Sequence, residues 1–519
     1  MKTIKVILFT LLLLLAAWGR CAEIHDAALA GGQAAGLAYA LGFSTYLFHT
    51  DQYAANYDIC TDGQGFIYIS GNTRDRNFPA TAGAFQRELH GEADAFVVKL
   101  APDGKIVFAT LIGGSKREHH TRITVDGDGS IYLAGGTHSP DFPVTPGSYD
   151  TRFNGEGEWA GDVYVVKMDP AGSGIVWSTF LGGKVEETAG GIRIDSRGNV
   201  VVAGVTCSHD FPTTKGAIGS TFAKQVSFLS KFSPHGDALL FSTFLGNGTG
   251  DMITGLAVDR QDNIYATGYT ATPDLPVTAN AMRRDLGPGN DHFLAKVDGT
   301  GTRLLYLSYL AARGDVSAVL SWADPDRLAV CGSTAEDGFP ITARALRTVR
   351  RGERDCFVAV FHSSDMKLEY SSLLGGSEAD AIESVSFLDP DTVMVGGITT
   401  SANFPLTENA LFSEFPSWEK TFNNTFWGRR KSFVSVIDIR NGRLLYSSYL
   451  GACFHIRTAA DKGGSIAFIA EAGQREAAGT TGFPVSENAL QEPPTYLMLG
   501  RLILNPLPVE SNQKTGRNK

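Results

Sequence analysis

Residues 141–145 read Asp-Phe-Pro-Val-Thr and residues 177–181 read Trp-Ser-Thr-Phe-Leu, and these two short motifs decide the fold. The first motif is an aromatic residue or Leu followed by Pro, with Thr or Ser two residues after the Pro. It has seven copies, which begin at Phe78, Phe142, Phe211, Leu275, Phe339, Phe404 and Phe483. The second motif also has seven copies, at residues 43–47, 108–112, 177–181, 241–245, 306–310, 370–374 and 446–450. The copies are spaced by roughly 65 residues except before the last, and a fixed long period is typical of a repeat architecture.

Within each repeat, polar and apolar residues alternate over short stretches that are separated by Gly, Asp, Asn and Pro. This pattern indicates strands and not helices. In the second repeat we predict strands at residues 122–126, 130–135, 162–168 and 174–181, with a hairpin turn at residues 126–129. Four strands in each of seven repeats predict an all-β fold, a seven-bladed β-propeller of four-stranded blades.

The two ends of the repeat array complement each other. The first copy of the second motif, at residues 43–47, has the pattern of the last strand of a repeat, whereas the final repeat lacks that strand. We therefore expect the N-terminal strand to complete the last blade and close the ring, which removes two open sheet edges. In the Pro-containing motif we expect the Thr, for example Thr81 or Thr278, to cap a short helical turn.

The amino terminus has the features of a secretory signal. Lys2 and Lys5 precede an apolar run at residues 6–17, which is too short to span a bilayer. We predict a signal peptide at residues 1–21, a linker at 22–40, the propeller at 41–507 and a disordered tail at 508–519, with lipid attachment through Cys21 as the alternative. The mature chain is then exported, to the periplasm, the cell surface or the extracellular space, with no transmembrane span.

Composition and motifs exclude several classes of function. A formal net charge of −10 argues against a nucleic-acid partner, because phosphate binding needs clustered Lys and Arg. No phosphate loop, dinucleotide fingerprint, zinc motif or nucleophile elbow occurs, so no cofactor is predicted. The six cysteines are scattered, and we expect free thiols, with a Cys331–Cys356 disulfide as the alternative.

The repeats resemble the bacterial seven-bladed β-propeller repeat known as the SBBP repeat, which is also described as cell-surface or S-layer-protein-like. The resemblance rests on the hairpin at residues 125–136, on the motifs at 141–145 and 180–183, and on residues 94–100, and it covers nearly the whole mature chain. It implies an exported or surface protein with an interaction role. It supplies no catalytic residues.

The long links between the second and third strands of a blade, and between one blade and the next, leave the same side of the disc, which we call the long-loop face. Binding residues concentrate on such loops. The longest link, in the sixth repeat, is rich in aromatic and basic side chains, and together with Trp159 it supplies the candidate ligand-binding residues Trp418, Phe422, Phe426, Trp427, Arg429 and Arg430. Alternatively, these aromatic side chains fold the link onto the disc.

A second set of candidates lies where the first strand of each blade begins. His119, His120, Asp251 and Asp380 are candidate metal ligands, because imidazole and carboxylate groups bind divalent cations. The alternative is that such carboxylates accept backbone N–H groups of their own blade.

Together, these features predict an exported, non-enzymatic propeller, a monomer that binds a protein or a cell-envelope glycan through its long-loop face. The alternative is a propeller enzyme, a lyase or hydrolase that uses His and carboxylate groups at the central channel. The two readings differ in whether the groups at the strand starts converge on one pocket. Those groups are Glu118, His119, Glu187, Asp251, Asp380 and His455.

Overall fold

The computed structural model describes residues 38–49, 57–156, 161–219, 222, 224–246, 250–287, 291–310, 313–320, 327–414, 430–453, 455–472 and 496–505. These residues form 28 strands in seven antiparallel four-stranded sheets, which confirms the all-β, seven-bladed propeller. Among the described residues there is no helix with the length and hydrophobicity needed to span a bilayer.

The strands follow one another blade by blade after β1 (Ala38–His49). Blade 1 consists of β2 (Asp58–Thr61), β3 (Ile67–Thr73), β4 (Asp94–Leu100) and β5 (Ile106–Ile112). Blade 2 consists of β6 (Glu118–Val125), β7 (Ile131–Thr137), β8 (Asp162–Met168) and β9 (Ile175–Leu181). Blade 3 consists of β10 (Glu187–Ile194), β11 (Val200–Thr206), β12 (Val226–Phe232) and β13 (Leu239–Leu245). Blade 4 consists of β14 (Met252–Val258), β15 (Ile264–Thr270), β16 (Asp291–Val297) and β17 (Leu304–Tyr309).

The remaining blades keep the same order. Blade 5 consists of β18 (Arg313–Leu320), β19 (Arg327–Thr334), β20 (Asp355–His362) and β21 (Leu368–Leu374). Blade 6 consists of β22 (Asp380–Asp389), β23 (Thr392–Thr399), β24 (Lys431–Asp438) and β25 (Arg443–Ala452). Blade 7 consists of β26 (Ile456–Ala460), β27 (Ile466–Ala472), β28 (Tyr496–Asn505) and the N-terminal strand β1, which pairs with β28.

The predicted strands of the second repeat agree with blade 2 to within one residue except at the start of the first strand and at the end of the second, because β7 continues to Thr137. We predicted residues 122–126, whereas β6 begins at Glu118. The ladder continues across a β-bulge, because His119 pairs with Gly136 and Arg122 pairs with Ala134. A bulge interrupts the alternation of side chains, so the polar residues before it do not read as a strand.

Seven hydrophobic clusters hold the ring together, one at each junction between neighbouring blades. At the junction of blades 7 and 1, Phe43, Ala467 and Leu499 pack with Ile59 and Phe96. The first strands of successive blades also contact one another around the ring, including β26 with β2. The core is therefore distributed between the blades.

The Thr of the Pro-containing motif covers the outer edge of its blade. In blade 1 the Thr81 amide donates to the Ala109 carbonyl over 2.9 Å, and the Ala109 amide donates to Thr81 Oγ1 over 3.1 Å. The same pair of bonds joins Thr278 to Leu307 in blade 4. The predicted role of these Thr side chains as helix caps is wrong, because an edge strand carries unpaired backbone groups and the link satisfies them.

The Gly-Gly pair that follows the second motif lies between acidic groups of adjacent blades. A Cβ at Gly113 would collide with the carboxyl groups of Asp94 and Glu118, and a Cβ at Gly182 would collide with those of Asp162 and Glu187. Burial raises the pKa of Glu118 to about 8 and that of Asp162 to about 7. Only Gly permits this close approach, and the carboxyl pairs are stabilised in their protonated forms.

We expect the thermal stability of the protein to fall as the pH rises from 5 to 8.5. Because the folded-state pKa values of Glu118 and Asp162 are raised, their contribution to stability is complete below the unfolded pKa of about 4 and is lost as the pH rises through about 7 to 8. Asp162→Asn should reduce this fall in Tm, since it removes one charge of a carboxyl pair. Asp128→Asn, in the exposed turn of blade 2, is the control, and equal pH profiles for both variants would contradict the expectation.

Phe43→Ala should destabilise the whole ring, because Phe43 is buried at the junction of blades 7 and 1 and packs against Gly104. Truncation of a buried Phe costs about 3 to 5 kcal/mol. Chemical denaturation of this variant should therefore show a clear loss of stability, whereas Val107→Ala, at an exposed position of β5, should have little effect. Equal stabilities would mean that β1 is not required for the closed ring.

Candidate functional site

Most of the predicted ligand-binding residues lie outside the part of the chain that the structure describes. These are Trp159, Trp418, Phe422, Phe426, Trp427 and Arg429. Arg430 is described and immediately precedes β24, where burial lowers the pKa of its guanidinium group. The hypothesis that the sixth-repeat link binds a ligand therefore stays a prediction.

The long links of blades 1 and 2 border an open cleft with a volume of about 660 Å³. Its lining comes from the link after β3, from the link between β5 and β6, and from the link after β7, and comprises Phe78, Ala80, Phe85, Gln86, Arg87, Glu88, His90, Gly113, Asp141 and Pro143. We call this space the blade 1–2 cleft. Its volume is in the range of small-molecule binding sites, roughly 300 to 1,000 Å³.

Gln86 forms a fixed floor for the blade 1–2 cleft. Its side-chain amide donates to Asp94 Oδ2 over 2.5 Å and to the Glu88 carbonyl over 2.8 Å, and its Oε1 accepts the Gly113 amide over 3.0 Å. The Gln86 carbonyl accepts the Leu111 amide over 3.0 Å, which ties the link to β5. Because every polar atom of this side chain is engaged, the link has one defined shape.

Exposed charged side chains lie around the rim of the blade 1–2 cleft. Arg87, Glu88 and His90 are exposed on the blade 1 link, and Asp141 is exposed on the facing link of blade 2. The Asp141 carboxylate accepts both the amide and the hydroxyl of Ser115 over 2.8 Å, which fixes its position. The cleft thus presents donors and acceptors on a backbone that is already ordered.

His119 and His120, two of the candidate metal ligands, are joined through their Nδ1 atoms, which are 2.8 Å apart. His119 Nε2 lies 3.5 Å from Glu186 Oε1, and His138 Nε2 lies 3.4 Å from Glu186 Oε2. The three ligand atoms of His119, His138 and Glu186 are all within 4.8 Å of one another. Burial lowers the pKa of His119 well below its ordinary value, so its imidazole is neutral.

The carboxylates at the strand starts are engaged inside the ring. Asp251 accepts the hydroxyls of Thr270 and Thr272, over 2.6 and 3.1 Å. Asp380 accepts the Thr399 hydroxyl and, over 2.7 Å, the Gly376 amide. The structure therefore places these two candidate metal ligands in separate blades, away from the junction of blades 2 and 3.

Glu118 and Glu187 have the same role in blades 2 and 3. Glu118 Oε1 accepts the hydroxyls of Thr137 and Ser139, both over 2.7 Å, and Glu187 Oε1 accepts the Thr206 hydroxyl over 2.6 Å. At the far side of the ring, His455 Nδ1 lies 2.9 Å from Glu383 Oε1. Among the described residues, the groups at the strand starts do not share one pocket.

The grouping of His138 and Glu186 with His119 was missed in the sequence analysis. A comparison of equivalent positions in the repeats could have found His138. This residue stands directly after the Thr that ends the second strand of its blade. That position holds other residues in the neighbouring repeats, namely Arg74, Cys207, Ala271, Ala335 and Thr400. Because the side chain at this position varies from blade to blade, the common scaffold does not restrict it and it is free to serve another purpose.

This chain is similar to a curated repeat protein and to several solved structures. The uncharacterized WD repeat-containing protein L264 of Acanthamoeba polyphaga mimivirus is 23% identical over 205 residues, which are 35% of this chain and only 15% of that protein. The WD40 repeats of RRP9 align with a TM-score of 0.46 and 11% identity over 90% of this chain and 99% of theirs. The α-L-arabinanase of Penicillium chrysogenum aligns with a TM-score of 0.40 and 8% identity over 78% of this chain and 99% of its own.

Both structural alignments have TM-scores below 0.5 and identities of 11% or less. The beta-propeller repeat model, SBBP, matches residues 240–275, which include β14 and β15 of blade 4. This match identifies an SBBP-type beta-propeller repeat within the ring of seven regular blades.

Proposed function

We propose that this protein is an exported, non-enzymatic binding module that holds a glycan of the cell envelope in the blade 1–2 cleft. The observation that carries the proposal is the cleft itself, whose floor is fixed by Gln86 and whose rim is exposed and charged. Because the backbone of the cleft is already ordered, ligand binding costs little conformational entropy, and this favours binding.

The side chains of the cleft suit a sugar better than an apolar ligand. Arg87 and His90 offer donors, and Glu88 and Asp141 offer acceptors, so that hydroxyl groups of either orientation find partners. Phe85 lies half-buried in the wall and offers an aromatic surface. A protein partner is the competing occupant, and the binding experiment below distinguishes the two.

Two further observations support the export and the absence of catalysis. The apolar run at residues 6–17 after Lys2 and Lys5 supports export. The carboxyl groups of Glu118 and Asp380 are buried and occupied by hydrogen bonds in their own blades, which supports binding over acid–base catalysis at the channel. Catalytic carboxylates instead need access to a substrate.

We expect Arg87→Ala and Glu88→Gln each to weaken binding of extracted cell-envelope glycans by about 1.5 to 3 kcal/mol, because hydrogen bonds to charged groups contribute about that much. The Tm should not change, because both side chains are exposed. Isothermal titration calorimetry and thermal unfolding on the same samples measure both effects. Arg152→Ala, at an exposed Arg on the corresponding link of blade 2, is the matched control.

Glycan binding that is unchanged in both cleft variants, or equally weakened in Arg152→Ala, would contradict the assignment of the cleft. Absence of glycan binding by the unsubstituted protein, with capture of an envelope protein that depends on Arg87, would show that the cleft binds protein instead.

Trp418→Ala and Trp427→Ala test whether the sixth-repeat link takes part in the same binding. If the link is a recognition loop, we expect each substitution to weaken glycan binding by about 2 kcal/mol with an unchanged Tm, because aromatic residues dominate binding hot spots. A clear loss of thermal stability with unchanged binding would mean that these aromatic side chains pack within the protein, and the link would be removed from the proposed surface.

A further inference from the structure

Three departures from the repeat coincide at the junction of blades 2 and 3. His119 follows the carboxylate at the start of β6, where the other described blades with such a carboxylate have Thr188, Met252 and Ala381. His138 follows the last Thr of β7, and Glu186 immediately precedes β10. None of these three side chains recurs at the equivalent positions of the other described blades, and their ligand atoms lie within 4.8 Å of one another.

Two glycines make room for the imidazole rings. A Cβ at Gly136 would collide with the ring of His119, and a Cβ at Gly161 would collide with the ring of His138. The residue that corresponds to Gly136 carries a side chain in the other five blades where the motif is intact, as Asn72, Val205, Tyr269, Ser333 and Ile398. Blade 2 thus differs from the other blades at two positions. It has His119, and it has Gly136, which leaves space for the His119 ring.

Backbone hydrogen bonds fix the main chain at all three residues. The His138 amide donates to the Arg117 carbonyl over 2.9 Å, and the Glu186 carbonyl accepts the Cys207 amide over 2.9 Å. His119 lies in the ladder of β6 opposite Gly136. The site is therefore built on ordered backbone from two blades, which is what precise ligand placement requires.

The Nε2 atoms of His119 and His138 are buried and, within the described part of the chain, have no hydrogen-bond partner. The His119 side chain is 5% exposed and that of His138 is 12% exposed. Both atoms face the Glu186 carboxylate at 3.5 and 3.4 Å, which is longer than a hydrogen bond of about 2.7 to 3.2 Å. Two buried imidazole nitrogens left without partners are costly unless something binds between them.

We propose that His119 Nε2, His138 Nε2 and the Glu186 carboxylate form a binding site for a divalent transition-metal ion, with Zn²⁺ as the best fit. The two Nε2 atoms lie 3.5 and 3.4 Å from different oxygens of the Glu186 carboxylate, and one ligand atom from each residue lies within 4.8 Å of the others, so a small inward movement would bring all three to about 2.0 to 2.1 Å from a Zn²⁺ ion. Imidazole and carboxylate donors suit zinc and its neighbours, and do not suit Ca²⁺, which prefers all-oxygen sites.

His120 is a positioning residue for this site. Its Nδ1 lies 2.8 Å from His119 Nδ1, so a proton on His119 Nδ1 would be donated to His120 and the lone pair of His119 Nε2 would be left for the ion. The backbone of His120 has a φ of 56°, in the left-handed region, and lies in the bulge of β6. The bulge therefore turns the second imidazole back onto the first.

The fourth position of the ion faces solvent. Glu186 is 35% exposed, so the ion would be covered by the two imidazole rings on one side and would be open beside the carboxylate. Three protein ligands with one open position let the ion take a water molecule or an anionic group from solution. The metal site is independent of the blade 1–2 cleft, because it is formed at the next junction of the ring.

The test uses the full-length chain purified without a polyhistidine tag, stripped with a chelator and titrated with Zn²⁺ and with Co²⁺. We expect one ion per chain by calorimetry, a Co²⁺ absorption spectrum typical of four-coordinate sites, and a higher Tm with Zn²⁺. His138→Ala should weaken binding by at least about 100-fold and abolish the rise in Tm, because it removes a direct ligand. Ala271 and Ala335 occupy the equivalent position in blades 4 and 5, so this variant suits the fold.

Glu186→Gln should weaken Zn²⁺ binding by at least about tenfold, and His120→Ala should weaken it by about tenfold with a changed Co²⁺ spectrum, which His120→Asn restores because its side-chain oxygen accepts the same hydrogen bond. His209→Ala, at an exposed His of blade 3, is the matched control and should bind as the unsubstituted protein does. Absence of binding by the unsubstituted protein, or equal binding by His138→Ala and His209→Ala, would overturn the proposal.

Discussion

Two hydrogen bonds between a Thr and the outermost strand of its blade are the contact on which the rest of the structure depends. In blade 2 the Thr145 amide donates to the Ser178 carbonyl over 3.0 Å, and the Ser178 amide donates to Thr145 Oγ1 over 3.0 Å. A propeller blade would otherwise expose a row of unpaired backbone groups on its outer edge, where another chain could pair. The Thr of the Pro-containing motif and the strand of the second motif therefore bind each other, and these are the two motifs that define the repeat.

This contact determines the form of the surface that the links build. Because each link is tied along the outer strand, for example by Gln86 to Leu111 in blade 1, its exposed residues project from an ordered backbone. The Gly-Gly pair then carries the chain between the carboxyl groups of adjacent blades and joins one link to the next. Functional side chains can vary on such links while the edge contacts and the interblade clusters keep the ring closed.

The sequence predicted the blade number and the approximate strand limits of the second repeat, because both follow from local alternation and from a regular period. It did not predict the role of Thr81, since a Thr after Pro has the same local pattern whether it caps a turn or covers an edge. The approach of His138 to His119 and Glu186 depends on the register of β6 against β7 and on the packing of blade 2 against blade 3. No local pattern encodes a meeting of residues from three separate segments. The blade 1–2 cleft was missed for the same reason, because it lies between the links of two repeats.

The central functional claim is that ordered links of adjacent blades form the binding surface. Amide hydrogen exchange, followed by mass spectrometry with and without extracted cell-envelope glycans, tests this claim most directly. We predict that glycan slows exchange at residues 86–92 and 139–145, which line and support the blade 1–2 cleft, and leaves the short turns at residues 126–129 and 195–198 unchanged. Slower exchange confined to those turns, or no change at the cleft at saturating glycan, would contradict it.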